Sequence, residues 1–599
     1  MASPVTTRTA RPLDALSFAA SGPSGTADVV AGHLRLLGAA GTTSQGGGTD
    51  GSGPHEAGRT VLTGADFRPV EARLSWGDRA GGVVDEATVQ AATGMMAVHG
   101  RRDGEPRALA ADYAATAAGV LAVQGLLAAL LAQARGADAV SVRTGADRAG
   151  LLAVSQYFAA TGADEGEAAE LAPGGPPFTS GDGVLFELET LDPGAWAAFW
   201  YALDAPRDAV RAGWRPFQFR YATACAPFPG SLHTTARAHP WERIRRAAAG
   251  SGAEVCALRT LAERAAEHDG AAPWSLAPTG PAAPRTGGAA AVSAGRPLTG
   301  LTVLEAGRRI QAPLAAHLLG LLGAEVIRIE PPGGDPLRGM PPACSGISAR
   351  WLALNRGKRA VEIDIKAERD RRRLRELAAG ADVFLHNWAP GKAAALGLDA
   401  ADLAAANPAL VYAYTSGWAD RLPGAPMGTD FMVQARTGVG EAVRPQGEPP
   451  APSLMTLLDV LGGLLGAEAV LAGLLLRERT GRGVRVDSSL LGAADLLTAP
   501  ALARAARGSG ARRPPGFRRP LPTADGWVAP SDACATAAAA YDLRHLPTGQ
   551  ALRLLREHGL TATRVTTDLA DLHHDPRFAG SISRDAYGAP AVPDPWSFV

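Results

Sequence analysis

Hydrophobic and polar positions divide the chain into two unequal halves with related patterns. From residue 301 onward, short apolar runs alternate with amphipathic ones. "LTVLEAG" and "AEVIRIE" predict strands, and "APLAAHLLGLLG" between them predicts a helix closed by Gly323. "RAVEIDI", "DVFLHNW" and "ALVYAYTSG" continue the strands, with helices over "AERDRRRLRELAAG" and "LDAADLAAANP". This alternation predicts a parallel sheet with helices on both faces, where ligands bind at the carboxyl ends of the strands. Leu454 to Leu476 is different. It is almost wholly apolar or small, and only Asp459 and Glu468 interrupt it. A helix apolar all round is buried inside a large protein. The two acids and the trailing "RERTGRG" argue against a membrane span.

The same patterns recur earlier. The segment from Arg11 matches the one from Arg296, and the 54 residues from Val89 match those from Val433. The second copy carries 59 more residues between these landmarks. Where it has strands, the first has "AGTTSQGGGTDGSGPHEAG", read as a loop unlikely to be ordered. The expected organisation is a degenerate large domain over 1–150, a small α+β unit over 151–269 and a Pro/Gly/Ala linker over 270–297. A Rossmann-like large domain over 298–510 and a second small α+β unit over 511–599 follow.

Composition narrows the classes. Basic and acidic residues balance at 59 each, which gives no electrostatic ground for a nucleic acid or membrane partner. The four cysteines, Cys225, Cys256, Cys344 and Cys534, have neither metal-ligand nor disulfide spacing, and the start has no apolar signal core. A reducing cytoplasm and no metal are expected. The chain's three lysines, Lys358, Lys366 and Lys392, fall in one short window against an arginine-rich background, which suggests a local need.

In this order, "LTVLEAGRRIQAPLAAHLLGLLGAEVIRIEPPGGD", "LNRGKRAVEIDIK", "ADVFLHNWAPG", "LGLDAADLAAANPALVYAYTSGW", "GTDFMVQARTG" and "LLDVLGGLLGAEAVLAGLLLRERTGRGVRVDSSL" resemble family III CoA-transferases, the CaiB/BaiF type. The resemblance covers most of 297–495; the first copy matches at its beginning and through 80–145. It implies an α/β fold duplicated in tandem, two halves interlocked as a pseudo-dimer, and further self-association left open. It implies transfer of CoA from an acyl-CoA to a carboxylic acid, with CoA as substrate and no covalently bound cofactor. Asp459 matches the family's catalytic aspartate, and Asp112 is taken as its counterpart in the first copy. Asp430 would orient the nucleophile. Gln311, Ile363, Asp364, Lys366, Asn387 and Trp388 would contact CoA.

Such a transfer needs an ionised, poorly solvated carboxylate that attacks a thioester. An acid in the first turn of an apolar helix suits that need, because the helix end favours the anion. The bland alternative is that "TLLD", Thr456 to Asp459, is a capping box. Three departures from the family stand out. Pro331 and Ala395 replace usual basic residues, and Thr429 replaces a usual His or Tyr, which argues against the racemase branch. The other readings are an acyl-CoA isomerase, racemase or hydrolase on this scaffold, or an inactive scaffold subunit. His386, at a strand end, reads as structural, and His573 with His574 as a surface turn.

Overall fold

The computed structural model describes residues 10–45, 56–282, 291–508 and 510–599. The larger of its two main sheets has seven strands. Their order is Arg359–Glu362, Glu325–Glu330, Thr302–Ala306, Val383–His386, Val411–Ser416, Gly483–Ser489 and Trp274–Thr279. The first six run parallel, in the order of a doubly wound α/β sheet. Strands buried on both faces read as continuous apolar runs, which is why "TVLEA" and "VFLH" are hydrophobic without alternation. One face packs under Glu368–Ala379 and Ala400–Ala406. The other packs on the helices Gln311–Leu321 and Leu457–Thr480.

The sheet of the first copy has six strands. Their order is Ala40–Gln45, Ser17–Gly22, Glu56–Gly64, Phe67–Ser75, Ser141–Gly145 and Ser597–Phe598. The segment expected to be a loop supplies paired strands on both sides, Ala40–Gln45 and Glu56–Gly64; its residues 46–55 lie outside the described residues. An antiparallel hairpin, Glu56–Gly64 with Phe67–Ser75, thus stands where the second copy has parallel βα units.

Two strands cross between the halves. Trp274–Thr279, within the stretch read as a linker, pairs antiparallel with Gly483–Ser489 of the second copy. Ser597–Phe598 pairs antiparallel with Ser141–Gly145 of the first. Each half therefore closes the other half's sheet. A backbone strand buried beside a sheet edge satisfies its polar groups by joining it, and that overrides the Pro/Gly/Ala composition of 270–297.

At the centre the helices Tyr113–Ala134 and Leu457–Thr480 pack on each other. Both are long and apolar enough to cross a membrane by length and composition, and both are buried in the core. Gly462 and Gly463 let Leu457–Thr480 approach Gln311 and Leu314, where a Cβ would come within 3.0 Å of their atoms. Glu468, the second acid of the apolar run, is fully buried. Both its oxygens sit 2.9 and 3.0 Å from Nδ1 of His33 in the first copy, so it ties the halves together.

Candidate active site

Asp459 lies in the first turn of Leu457–Thr480. The residue before that helix, Thr456, has φ +53° and makes no side-chain cap. The capping box is therefore not formed, and no hydrogen bond to the Asp459 carboxylate is found among the described residues. The cap comes from elsewhere. Asp430, first residue of the helix Asp430–Arg436, accepts the Asp459 N–H through Oδ2 at 2.7 Å and a further N–H from Leu458. Its Oδ1 accepts from Gln434 Nε2 at 2.5 Å. The first-turn amides are thus satisfied by a neighbouring acid, and the side chain of Asp459 is left free.

Both acids are held above the usual carboxylate range. Burial is the first cause for Asp459, and the Asp430 charge adds to it, while Arg309 works the other way. Asp430 is pushed up to about 6, again chiefly by burial. Two neighbouring carboxylates out of water resist ionising together.

Arg309, whose charge acts on Asp459, lines a cavity of about 540 Å³ at the carboxyl ends of the strands. It too has a left-handed backbone, φ +61°, and its guanidinium lies 5.4 Å from the ring centre of Tyr221, a first-copy residue. Strained non-glycine residues cluster where structure serves a site, and Thr456 and Arg309 are two of them. Arg308, Lys366 and Lys392 also line the cavity, and none of the four makes an ion pair among the described residues. Lys392 is shifted downward by burial and then by the charges of Arg308 and Lys366, so these cations face one another. Uncompensated cations at strand ends suit a polyphosphate.

Of the expected CoA contacts, Ile363, Asp364, Lys366 and Trp388 line this cavity. Gln311 and Asn387 do not. Gln311 is buried beneath Gly462, and its amide is 3.4 Å from the Ser416 carbonyl. Asn387 braces the cationic loop, accepting from the Arg308 N–H at 2.8 Å and donating to the Arg308 carbonyl at 3.0 Å. With Pro331 and Ala395 apolar, the cations lining the cavity that are unpaired among the described residues are Arg308, Arg309, Lys366 and Lys392. The lysine cluster pointed to Lys392, whereas an arginine-rich sequence hid the arginines. Lys358, the third lysine, is buried and serves the core, donating to Glu305, Asn355 and the Pro313 carbonyl. His386 is buried against Tyr412, 2.7 Å from its hydroxyl, and burial lowers it to about 3, which suits a structural residue. His573 ends a short 3₁₀ turn, with its ring against Phe158.

Asp112 does not occupy the place of Asp459. In the first copy the Glu86 carboxylate accepts from the Ala114 and Ala115 N–H groups at 2.9 and 2.7 Å, and from Gln90 Nε2 at 2.8 Å. Glu86, Gln90 and Ala115 are therefore the counterparts of Asp430, Gln434 and Asp459. Asp112 lies one turn earlier, clamped by Arg518 at 2.7 Å and Arg513 at 3.3 Å from the C-terminal unit. The match at Val89 already implied this register; reading the nearest acid as the counterpart obscured it.

A doubly wound sheet with a carboxylate free of hydrogen bonds and a cationic cavity at its strand ends is an α/β arrangement suited to an anionic ligand. Comparison supplies the family. The model of CoA-transferase family III matches residues 77–276 and 298–580, two segments that fit the tandem arrangement, and the chain belongs to that family. It is 36% identical over 199 residues to the mouse succinyl-CoA:glutarate CoA-transferase, covering 33% of this chain and 46% of that one. It is 36% identical over 197 residues to the acetyl-CoA:oxalate CoA-transferase of Acetobacter aceti, covering 32% and 51%. The chain spans about half the length of the curated relatives it matches. A CaiB/BaiF family protein from Brucella suis superposes with a TM-score of 0.45 at 27% identity, over 50% of this chain and 92% of that one.

Proposed function

We propose that this chain is a CoA-transferase that moves CoA from an acyl-CoA to a carboxylic acid, with Asp459 as nucleophile. The observation that carries the reading is the Asp459 carboxylate itself: in the first turn of a buried helix, its N–H capped by Asp430, and within the field of Arg309, which lines a cavity with unpaired cations. The cavity would take the phosphates of CoA on Arg308, Lys366 and Lys392, with Trp388 against the base or the pantetheine arm.

An Asp459 oxygen attacks the thioester carbonyl carbon, the C–S bond breaks, and the CoA thiolate leaves a mixed anhydride. The thiolate then attacks the Asp459 carbonyl carbon, releasing the donor acid and leaving an aspartyl-CoA thioester. The acceptor carboxylate attacks the carbonyl carbon of that thioester, the C–S bond breaks, and the CoA thiolate leaves a second anhydride. The thiolate attacks its acyl carbon, giving the new acyl-CoA and free Asp459. No proton changes hands, so the site requires dryness and position more than an acid or base. The relatives whose names specify glutarate and oxalate support small dicarboxylic acids as the first acceptors to try.

The test is to incubate the chain with succinyl-CoA, quench with hydroxylamine and map the adduct by mass spectrometry. One hydroxamate per chain, at Asp459, is expected, with none at Asp112. D459N should form no adduct and still bind CoA. An adduct elsewhere, or full exchange activity in D459N, removes Asp459 from its role.

A further inference from the structure

The short helix that carries Asp430 is gripped from the other half of the molecule. Glu189 ends the strand Leu185–Glu189 in the first copy's small unit and is 3% exposed. Its Oε2 accepts from the Thr429 hydroxyl at 2.8 Å and from Arg220 Nη2 at 3.1 Å, and its Oε1 accepts from the Thr190 N–H at 3.1 Å. Thr429 immediately precedes Asp430–Arg436 and does not cap that helix with its own side chain. Its hydroxyl is engaged by Glu189 instead. Two further contacts fix the same helix: the Arg259 N–H donates to the Ala435 carbonyl at 2.8 Å, and the Arg220 guanidinium lies 4.8 Å from the ring centre of Phe431. The next link is Asp430 to the Asp459 N–H at 2.7 Å.

We infer that Glu189 is a positioning residue for Asp459, acting across the contact between the halves through Thr429 and Asp430. The inference rests on the reading of Asp459 as the nucleophile. The first copy, which has Ala115 where an acid would be, thereby completes the site of the second. Thr429 has the right shape for this role, because a hydroxyl reaches a buried carboxylate where a ring would displace it. The effect is also electrostatic. Glu189 joins Asp430 in holding Asp459 toward its protonated form, against Arg309 from the loop before Gln311–Leu321. Tyr113, on the other central helix, faces the same pair of acids.

The test uses the full chain with E189A, E189Q and T429V. Acyl-CoA affinity should stay within about twofold, because no cavity residue changes. The acylation rate measured by rapid quench should fall about 10- to 100-fold in E189A and T429V, the range for a misplaced reacting group. The double variant should be no slower than the slower single, because both break one link. In E189Q the acid limb of the pH–rate profile should move to lower pH, since a negative charge is lost, which a purely structural role would not do. The Asp459 amide should exchange hydrogen faster in E189A and T429V. Unchanged acylation and amide exchange in both variants overturns the inference, and so does a rate loss matched by an equal loss of affinity. If the unmodified protein forms no adduct, the nucleophile reading falls on its own. Amide exchange then still decides whether Glu189 fixes Asp459, and an unchanged rate there refutes it.

Discussion

Asp459 illustrates how one residue's use is decided by its neighbours. A carboxylate three positions into a helix would ordinarily turn back on the cap amide, for about 1 kcal/mol. Here Asp430 meets the exposed amides, so the Asp459 carboxylate stays free. The same division of labour separates the cavity's cations from the chain's many paired arginines. Arg328 is locked to Glu305 and Asp335, whereas Arg308, Lys366 and Lys392 face open space. Replacing Arg308 or Lys392 with Ala should weaken CoA binding about tenfold each, a charge-assisted contact being worth about 1.5–3 kcal/mol. The loss should shrink at high salt and vanish for an acyl-pantetheine, which has no nucleotide phosphates. Isothermal titration with both ligands at two salt concentrations measures it. Equal losses for the two ligands would place these cations away from the phosphates.

Among elements, the central helix Leu457–Thr480 shows what sequence pattern can and cannot reveal. Its burial follows from apolar residues on every side, and the parallel strands follow from their unbroken hydrophobic runs. The crossing strand Trp274–Thr279 was not legible, because only its partner edge in the other half makes a strand of that composition. Gln311, which the family resemblance offered as a CoA contact, lies outside the cavity and packs beneath Gly462 of the central helix, an approach that no local pattern announces. Glu468 was legible as an anomaly, but its partner lies 435 positions away. That pairing carries a prediction. Removing one side of a buried hydrogen-bonded pair costs about 1–3 kcal/mol, and more where the stranded group is charged. H33A should therefore lower Tm sharply. A double change to H33L and E468M, which removes both polar groups, should recover much of the loss. If H33A melts like the parent, the pair does not hold the halves together.

For the molecule as a whole, the buried titratable groups set how stability depends on pH. Glu187 is fully buried, neither of its oxygens has a side-chain partner among the described residues, and burial raises it to about 8. Burial raises Glu86 to about 7. In the unfolded chain both would titrate near 4.5. Between that value and the raised one, the folded state keeps a proton that the unfolded state has lost, so each group costs about 1.4 kcal/mol per pH unit as pH rises. His99, His317 and His386 are shifted the other way by burial, so their contribution falls away as pH drops below 6.5. Lys358, lowered to about 8, adds stability mainly as pH rises above that value. Above about 7 the histidine contribution is spent and Glu86 has largely released its proton, so Glu187 dominates and Tm should decline from 7 to 8. E187Q should flatten the decline, whatever it does to Tm itself, because an amide has no proton to lose. Calorimetry of both proteins at several pH values decides it: a Tm that is level or rising from 7 to 8 in the parent would mean that Glu187 is already ionised in the fold.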